Sequence, residues 1–365
     1  MKDEGPECTA AGEYPADEFI SHGRDVEMRW DSVDGWQHTP NDRFFVRNHT
    51  STPRIDLAAY RLRMFGDGLA GAPTIEDAHT FTLDEIRDMG SVTHTYALEC
   101  TGNGRRFFAT QQDTHRAGTQ WGLGAIGVAK WGGVSLTDLL SRVGVLDDAV
   151  DVMGEGLDEP YLHDGVDHGR VRRPVPIGKA LDDVLVAYEM NGEPLPPDHG
   201  YPLRLVVPGW VGIASIKWLG SIHVSKQPLS SPWTTVFYRI EDEEGSTVLT
   251  EMPVKSAFEL AWETSLEVGV PGVLRGRSWS GTGAIERVEV STDGGENWTV
   301  PELFGPNEPK TWVRWELPWT PTEPGRYELL ARASDTEGRT QPDSVAPNDD
   351  GYLFWAVVRH PVDVV

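Results

Sequence analysis

Residues 190–209 read MNGEPLPPDHGYPLRLVVPG. From Tyr201 onward this is a short apolar run closed by Pro208-Gly209, the pattern of a core strand entering a turn. Asp198, His199, Gly200 and Arg204 form a polar cluster at its front edge. Taken alone, Asp198-His199-Gly200 reads as a simple turn.

Working outward, SIKWLGSIHVS (215–225) is a second core strand, with Ser215, Ile216 and Lys217 just after the Pro-Gly turn. Lys217 lies in an apolar stretch, where its ammonium could snorkel to water. Upstream, VTHTYALEC (92–100) is a strand that delivers Cys100 to its end. Thr101-Gly102-Asn103-Gly104-Arg105-Arg106 follow. Gly102 and Gly104 let main-chain N–H groups approach a ligand closely. Nearby guanidinium groups make a fork-shaped anion site and would favour a thiolate suited to a soft metal. A lone cysteine at a strand end is also how a small buried hydrophobe looks. Further upstream, FFVRNH (44–49) is an apolar strand ending in three polar groups.

Two helices punctuate this region. TFTLDEIRDM (80–89) carries a capping box, Thr82 with Glu85 three positions on. VSLTDLLSRVGV (134–145) places Leu136, Leu139 and Leu140 on one face. Residues 1–40 are acidic, polar and Pro/Gly-punctuated, and read as a surface wrap. After SSPW (230–233) the texture changes. VLRGRSWSG, AIERVEVST, WTVPEL, TWVRWELPW, YELLARASD and YLFWAVVRH are strand-like and separated by turns, the pattern of an all-β sandwich. The expected division is an N-terminal extension (1–40), a catalytic domain (41–230) and a sandwich (231–365).

Length allows two domains and a large core. The chain carries 57 acidic against 32 basic residues, a formal charge of −25. Such a field disfavours nucleic acid and anionic lipid as partners, and repels an anionic substrate unless arginines reverse it locally. Only 7 of the basic residues are lysines, an acidic, lysine-poor balance that suits a salty milieu. No run reaches the roughly 18–20 apolar residues of a membrane helix. No apolar leader opens the chain, which makes the cytoplasm the default compartment. The two cysteines, Cys8 and Cys100, are too few for a disulfide scaffold or a cysteine-rich metal site. GxSxG, HExxH and Walker loops are missing. GLGAIG (122–127) matches GxGxxG only as a string, outside a clear βαβ unit.

These strings resemble, in order and spacing, the sulfite oxidase family. FFVRNH, LECTGNGR, EGLD (155–158), VAYEMNGEPLPPDHGYPLRLVVPGWVG (186–212) and IKWLG (216–220) follow its molybdopterin-binding domain. VSTDGGENW (290–298), TWVRWELPW (311–319) and QPDSVAP (341–347) are similar to its dimerisation domain. The resemblance implies an α+β fold: a mixed α/β molybdopterin-binding domain followed by an immunoglobulin-like β-sandwich that forms a homodimer. It implies molybdenum held by the two sulfurs of molybdopterin and by Cys100. It places Phe45, Val46, Arg47, Asn48, His49, Asp158, His199, Arg204, Ser215, Ile216 and Lys217 on the pterin and its phosphate. It places Arg47, Arg105, Tyr238 and Trp121 around the reacting oxyanion. The implied reaction is oxidation of sulfite to sulfate by oxo transfer, the cofactor doing the chemistry and the protein positioning the anion. Electrons would leave to an external acceptor, a cytochrome or oxygen, since no haem domain is fused here. Nitrate, S-oxide or N-oxide reduction at the same centre is the alternative. One departure stands out. Asp350, in APNDDG (346–351), falls where the family places another anion-binding arginine, and a carboxylate beside an anion disfavours binding.

Overall fold

The structure is a computed structural model that describes residues 12–33, 35–242 and 245–365; Cys8 lies outside them. Two five-stranded sheets build the first half. One runs Arg172–Pro176, Asp151–Gly156, Leu219–Ser225, Leu62–Phe65, His79–Phe81. The other runs Glu193–Pro194, Leu185–Met190, Ile126–Ser135, Val92–Glu99, with Arg204–Val206 added beside Leu185–Met190.

Helices cover the first sheet where the sequence encodes them. Thr82 accepts from the Glu85 N–H while Glu85 reaches back to the Thr82 N–H, so the helix Leu83–Arg87 starts on a complete capping box. Ser135 caps Leu136–Val143, whose Leu136, Leu139, Leu140 and Val143 are all buried. Burying each such side chain contributes about 1.5–3 kcal/mol. They join Leu62, Met64, Val152, Leu205 and Ile222 in one core, which fixes the strand ends from which the functional side chains project.

The second half holds two four-stranded sheets. Lys255–Phe258, Gly272–Trp279, Trp312–Trp319 and Glu302–Phe304 form one; Thr264–Leu266, His360–Val364, Gly325–Asp335 and Ile285–Ser291 form the other. Phe258, Leu274, Val313 and Trp315 of the first meet Val288, Leu329, Ala331 and Val362 of the second in a shared core. A further cluster joins the halves: Ala97, Phe107, Phe108, Ile126 and Val128 pack with Met252, Ala257, Trp279, Trp312 and Phe354.

Three expectations are corrected. The N-terminal region is not simply a surface wrap: Phe19–His22 and Asp25–Met28 pair as a hairpin in which Phe19, Asp25, Val26, Glu27 and Met28 are buried. Val26 and Val46 exchange both main-chain hydrogen bonds, 2.9 Å each, so the hairpin is fastened to the FFVRNH segment. YLFWAVVRH is not a strand; only His360–Val364 pairs. Its backbone turns to other partners, Leu353 N–H to Thr101 O at 2.9 Å, while Phe354 fills the cluster between the halves. The strand expected from Ser215 begins at Leu219, because a 3-10 turn at Gly212–Ala214 and Trp218 at φ 51° hold 215–218 as a loop. The glycines of GLGAIG are already engaged: the N–H groups of Gly122 and Gly124 donate to Glu27 at 2.9 Å.

Candidate active site

Cys100 follows the last residue of the strand Val92–Glu99, its N–H held by Ala125 O and its C=O by Asn103 N–H, both 2.9 Å. The turn needs its glycines for two different reasons. A side chain on Gly102 would collide with the Arg105 guanidinium at 2.6 Å; Gly104 sits at φ 92°, where only glycine is at ease. The turn is braced from below by Glu99, whose Oε1 accepts from Asn103 Nδ2 and from Lys255 Nζ at 2.8 Å each. Lys255 comes from the β-sheet half, and its Nζ also donates to Asn103 O at 2.8 Å.

Two adjoining cavities meet at Cys100. The deeper one is lined by Phe45, Arg47, Asn48, His49, Cys100, Asp158, His199, Arg204, Ser215, Ile216, Lys217 and Tyr238, apolar walls with convergent polar groups of the kind that hold a small-molecule ligand. The other, about 330 Å³, is lined by Arg47, His49, Cys100, Arg105, Trp121, Tyr238 and Asp350, with Arg24, Asp25, Tyr161, His163 and Tyr352. Of the cofactor and oxyanion residues that the family resemblance implies, only Val46 lines neither; it packs with Phe19 and Val26.

The deep cavity concentrates cationic and donor groups. Among the described residues Arg204, which is buried, donates only to carbonyls, His199 O at 2.8 Å and Ser215 O at 3.2 Å among them, and is paired with no carboxylate. Burial lowers its guanidinium to about 9. Lys217 donates to Asn48 Oδ1 and to Asp198 O; burial, aided by the charge of Arg204, lowers its ammonium to about 7. Burial holds His199 neutral, near 3, and raises the Asp158 carboxyl to about 6. Asp158 Oδ1 is buried without a hydrogen-bond partner, a vacancy that such an oxygen rarely keeps without a ligand. Buried cations such as Arg204 and Lys217 suit a phosphate, and an unpartnered acceptor suits a heterocyclic N–H. Among the described residues no group of three or more His, Cys, Asp or Glu side chains is arranged to hold a metal, so a metal at Cys100 would take its other ligands from a cofactor. These residues fit a molybdopterin.

The second cavity, funnel-like in its lining, gathers Arg24, Arg47 and Arg105 with Asp25 and Asp350. Arg105 Nε donates to Asp350 O and Nη1 to Thr119 O, both 2.8 Å, and its guanidinium lies over the Tyr352 ring at 5.7 Å. Arg47 pairs with Asp25 at 3.4 Å; burial alone would lower its pKa, and Asp25 together with Tyr238, Cys100 and Tyr161 more than restores it. Tyr238 sits at φ 57°, a strained conformation for a non-glycine residue that concentrates at functional sites. Its hydroxyl lies 3.2 Å from His49 Nε2, and its ring stacks on Tyr352 at 5.1 Å. Burial keeps the Tyr238 phenol protonated and His49 neutral. Trp121 is fully buried, with its indole N–H unpartnered.

Two sequence expectations change here. Positive charge alone does not make Cys100 a thiolate: burial pushes its thiol up, outweighing Arg47 and Arg105, so the bond to a metal would have to displace the proton. Asp350 does not simply oppose an anion either. Its carbonyl holds Arg105 in place, although its carboxylate also lines the cavity. Arg24, Asp25, Tyr161, Tyr352 and Lys255 went unnoticed in the sequence. Only the isolated lysine inside the apolar MPVKSAF offered a signal.

Comparison with known proteins bears on this geometry. A family model for the oxidoreductase molybdopterin binding domain matches residues 49–233, and one for the Mo-co oxidoreductase dimerisation domain matches 246–359. Mitochondrial sulfite oxidase of Mus musculus is 35% identical over 90% of this chain and 62% of its own length. Sulfite oxidase of Gallus gallus is 38% identical over 85% of this chain and 69% of its own. An NADH nitrate reductase of Ulva prolifera is 33% identical over 85% of this chain, but 38% of its own. The chain thus spans 62% of the length of the mouse relative. The crystal structure of the sulfane dehydrogenase SoxCD from Paracoccus pantotrophus superposes with a TM-score of 0.78 at 28% identity, covering 91% of this chain and 82% of that one. Among the described residues no helix is long and apolar enough to cross a membrane.

Proposed function

The chain belongs to the sulfite oxidase family of molybdopterin oxidoreductases, and from that membership we propose that it oxidises sulfite to sulfate and passes two electrons to a separate acceptor. The observation that carries this reading is the meeting of two cavities at one sulfur, a chamber holding buried Arg204 and Lys217 and an arginine-bearing funnel, both lined by Cys100. We assign residues 41–230 to the catalytic domain and 231–365 to an immunoglobulin-like dimerisation domain, the basis of a homodimer. The two packed sheets and the match at 246–359 support this division.

When bound, the molybdenum centre supplies oxo transfer and the two-electron redox change. The chain's own contribution is binding, orientation and exclusion of water. Cys100 gives one sulfur ligand. Lys217 and Arg204 meet the phosphate, and Asp158 and neutral His199 hydrogen-bond the pterin. Phe45, Asn48, His49, Ser215 and Ile216 complete the walls, with Val46 acting through its fastening to the hairpin. In the funnel, Arg47 and Arg105 draw in the sulfite oxygens and turn its sulfur toward the centre. The Tyr238 hydroxyl, protonated and paired with neutral His49, donates to a sulfite oxygen. Trp121 keeps the wall dry and offers its free indole N–H.

The kinship to nitrate reductase keeps one rival, reduction of nitrate by the same centre. Steady-state turnover with sulfite and ferricyanide, against nitrate and reduced viologen, decides between them. Sulfite turnover at least tenfold faster is expected; faster nitrate reduction overturns the proposal.

A further inference from the structure

Two guanidinium groups of the funnel follow the family pattern. A third does not. Arg24 is the second residue of the two-residue turn between Phe19–His22 and Asp25–Met28 and lines the same cavity as Arg47, Arg105 and Cys100. Its Nη1 donates to the His49 carbonyl, and its charge is among those that keep the His49 ring neutral after burial has done most of the work.

The balance of charge in this cavity makes Arg24 decisive. Asp25 and Asp350 bring two carboxylates to it, and Arg47 and Arg105 bring two guanidinium groups. Those four alone leave a neutral funnel in a chain of formal charge −25, a poor trap for an anion. Arg47, moreover, is already paired with Asp25. Among the described residues Arg24 has no carboxylate partner; its one hydrogen bond goes to a carbonyl, which leaves its other N–H groups for a ligand.

The hairpin that carries it is firmly anchored. Asp25 accepts from the Thr119 hydroxyl at 2.6 Å and the Asn48 N–H at 3.2 Å. Glu27 holds two glycine N–H groups, and Val26 is bonded twice to Val46. A guanidinium set on so fixed a base is preorganised for its ligand.

We propose that Arg24 is the third anion-binding group of this funnel, a specificity-determining residue that captures sulfite and sulfate where position 350 provides a carboxylate. The proposal rests on reading the funnel as an oxyanion site, and adds that the N-terminal hairpin is part of that site.

The test uses the molybdenum-loaded protein and its R24Q, R24E and R24K variants. Calorimetry gives the sulfate Kd, and ferricyanide-linked turnover gives KM and kcat for sulfite. Losing a charge-assisted contact to an oxyanion weakens binding by about tenfold or more. R24Q is therefore expected to raise the sulfate Kd and the sulfite KM by about tenfold, with kcat falling far less. R24E should abolish sulfate binding, and R24K should recover most of it. Thermal unfolding of R24K at the wild-type temperature, with weaker sulfate binding in R24Q, separates anion capture from damage to the hairpin. Wild-type Kd and KM in R24Q or R24E overturn the proposal. A wild-type protein that binds sulfate through Arg24 but does not oxidise sulfite refutes the proposed reaction and leaves this inference standing.

Discussion

Lys255 Nζ lies 2.8 Å from Glu99 Oε1, with each side chain 2% exposed, so a fully buried ion pair joins the β-sheet half to the residue preceding Cys100. Removing one member of such a pair strands the other charge out of water, at a cost of about 3–5 kcal/mol. Lys255→Met should lower the urea midpoint accordingly. The double variant Glu99→Gln/Lys255→Met, which strands no charge, should recover most of the loss. Equal midpoints for wild type and Lys255→Met would show that the pair contributes nothing.

Lys217 makes cofactor binding depend on pH. Its ammonium is lowered to about 7 by burial and by Arg204, and a bound phosphate would raise it again. Lys217 then takes up a proton on binding above pH 7, which lowers affinity as pH rises, whereas the Cys100 thiol gives one up to the metal. Cys100→Ser, with no thiol proton to release, isolates the Lys217 contribution. Reconstitution of cofactor-free Cys100→Ser should be weaker at pH 9 than at pH 6.5, by up to about tenfold per pH unit. Adding Lys217→Arg, which stays charged, should flatten that profile. A flat profile in Cys100→Ser alone contradicts the assignment of Lys217 to the phosphate.

Asp158 Oδ1 waits for a donor. Asp158→Asn replaces one acceptor by an N–H and should weaken cofactor retention by about tenfold, from the loss of a buried hydrogen bond to a charged group. Molybdenum per protein after gel filtration measures this. Full retention would place the pterin elsewhere.

Tyr238 is expected to act on the substrate rather than on the cofactor. Tyr238→Phe removes the hydroxyl that meets His49 while preserving the stack on Tyr352. We expect kcat/KM for sulfite to fall about 10- to 100-fold with molybdenum content unchanged. Loss of molybdenum instead would assign Tyr238 to the cofactor.

What could be read from the sequence, and what could not, divides along physical lines. The strand ending at Cys100, the capped helices at Leu83 and Leu136, and the strand from Gly272 announce themselves through local periodicity and caps, and they appear as expected. The hairpin at 19–28 stayed hidden because Asp25 and Glu27 look like surface residues; only tertiary partners, Thr119, Asn48 and the Gly122 and Gly124 amides, make their burial affordable in energy. The apolar YLFWAVV run mimics a strand, yet its role is to fill the cluster between the halves, which alternation cannot reveal. The site residues were legible as strings, but their division between a chamber and a funnel depends on which way each side chain points. Val46 is the case in which a neighbouring match pointed away.

The central claim is a bond between the Cys100 sulfur and molybdenum. X-ray absorption at the molybdenum edge, on wild type and Cys100→Ser loaded with cofactor, tests it directly. The account predicts three sulfur scatterers at bonding distance in the wild type and two in the variant; an unchanged sulfur count in Cys100→Ser would contradict it.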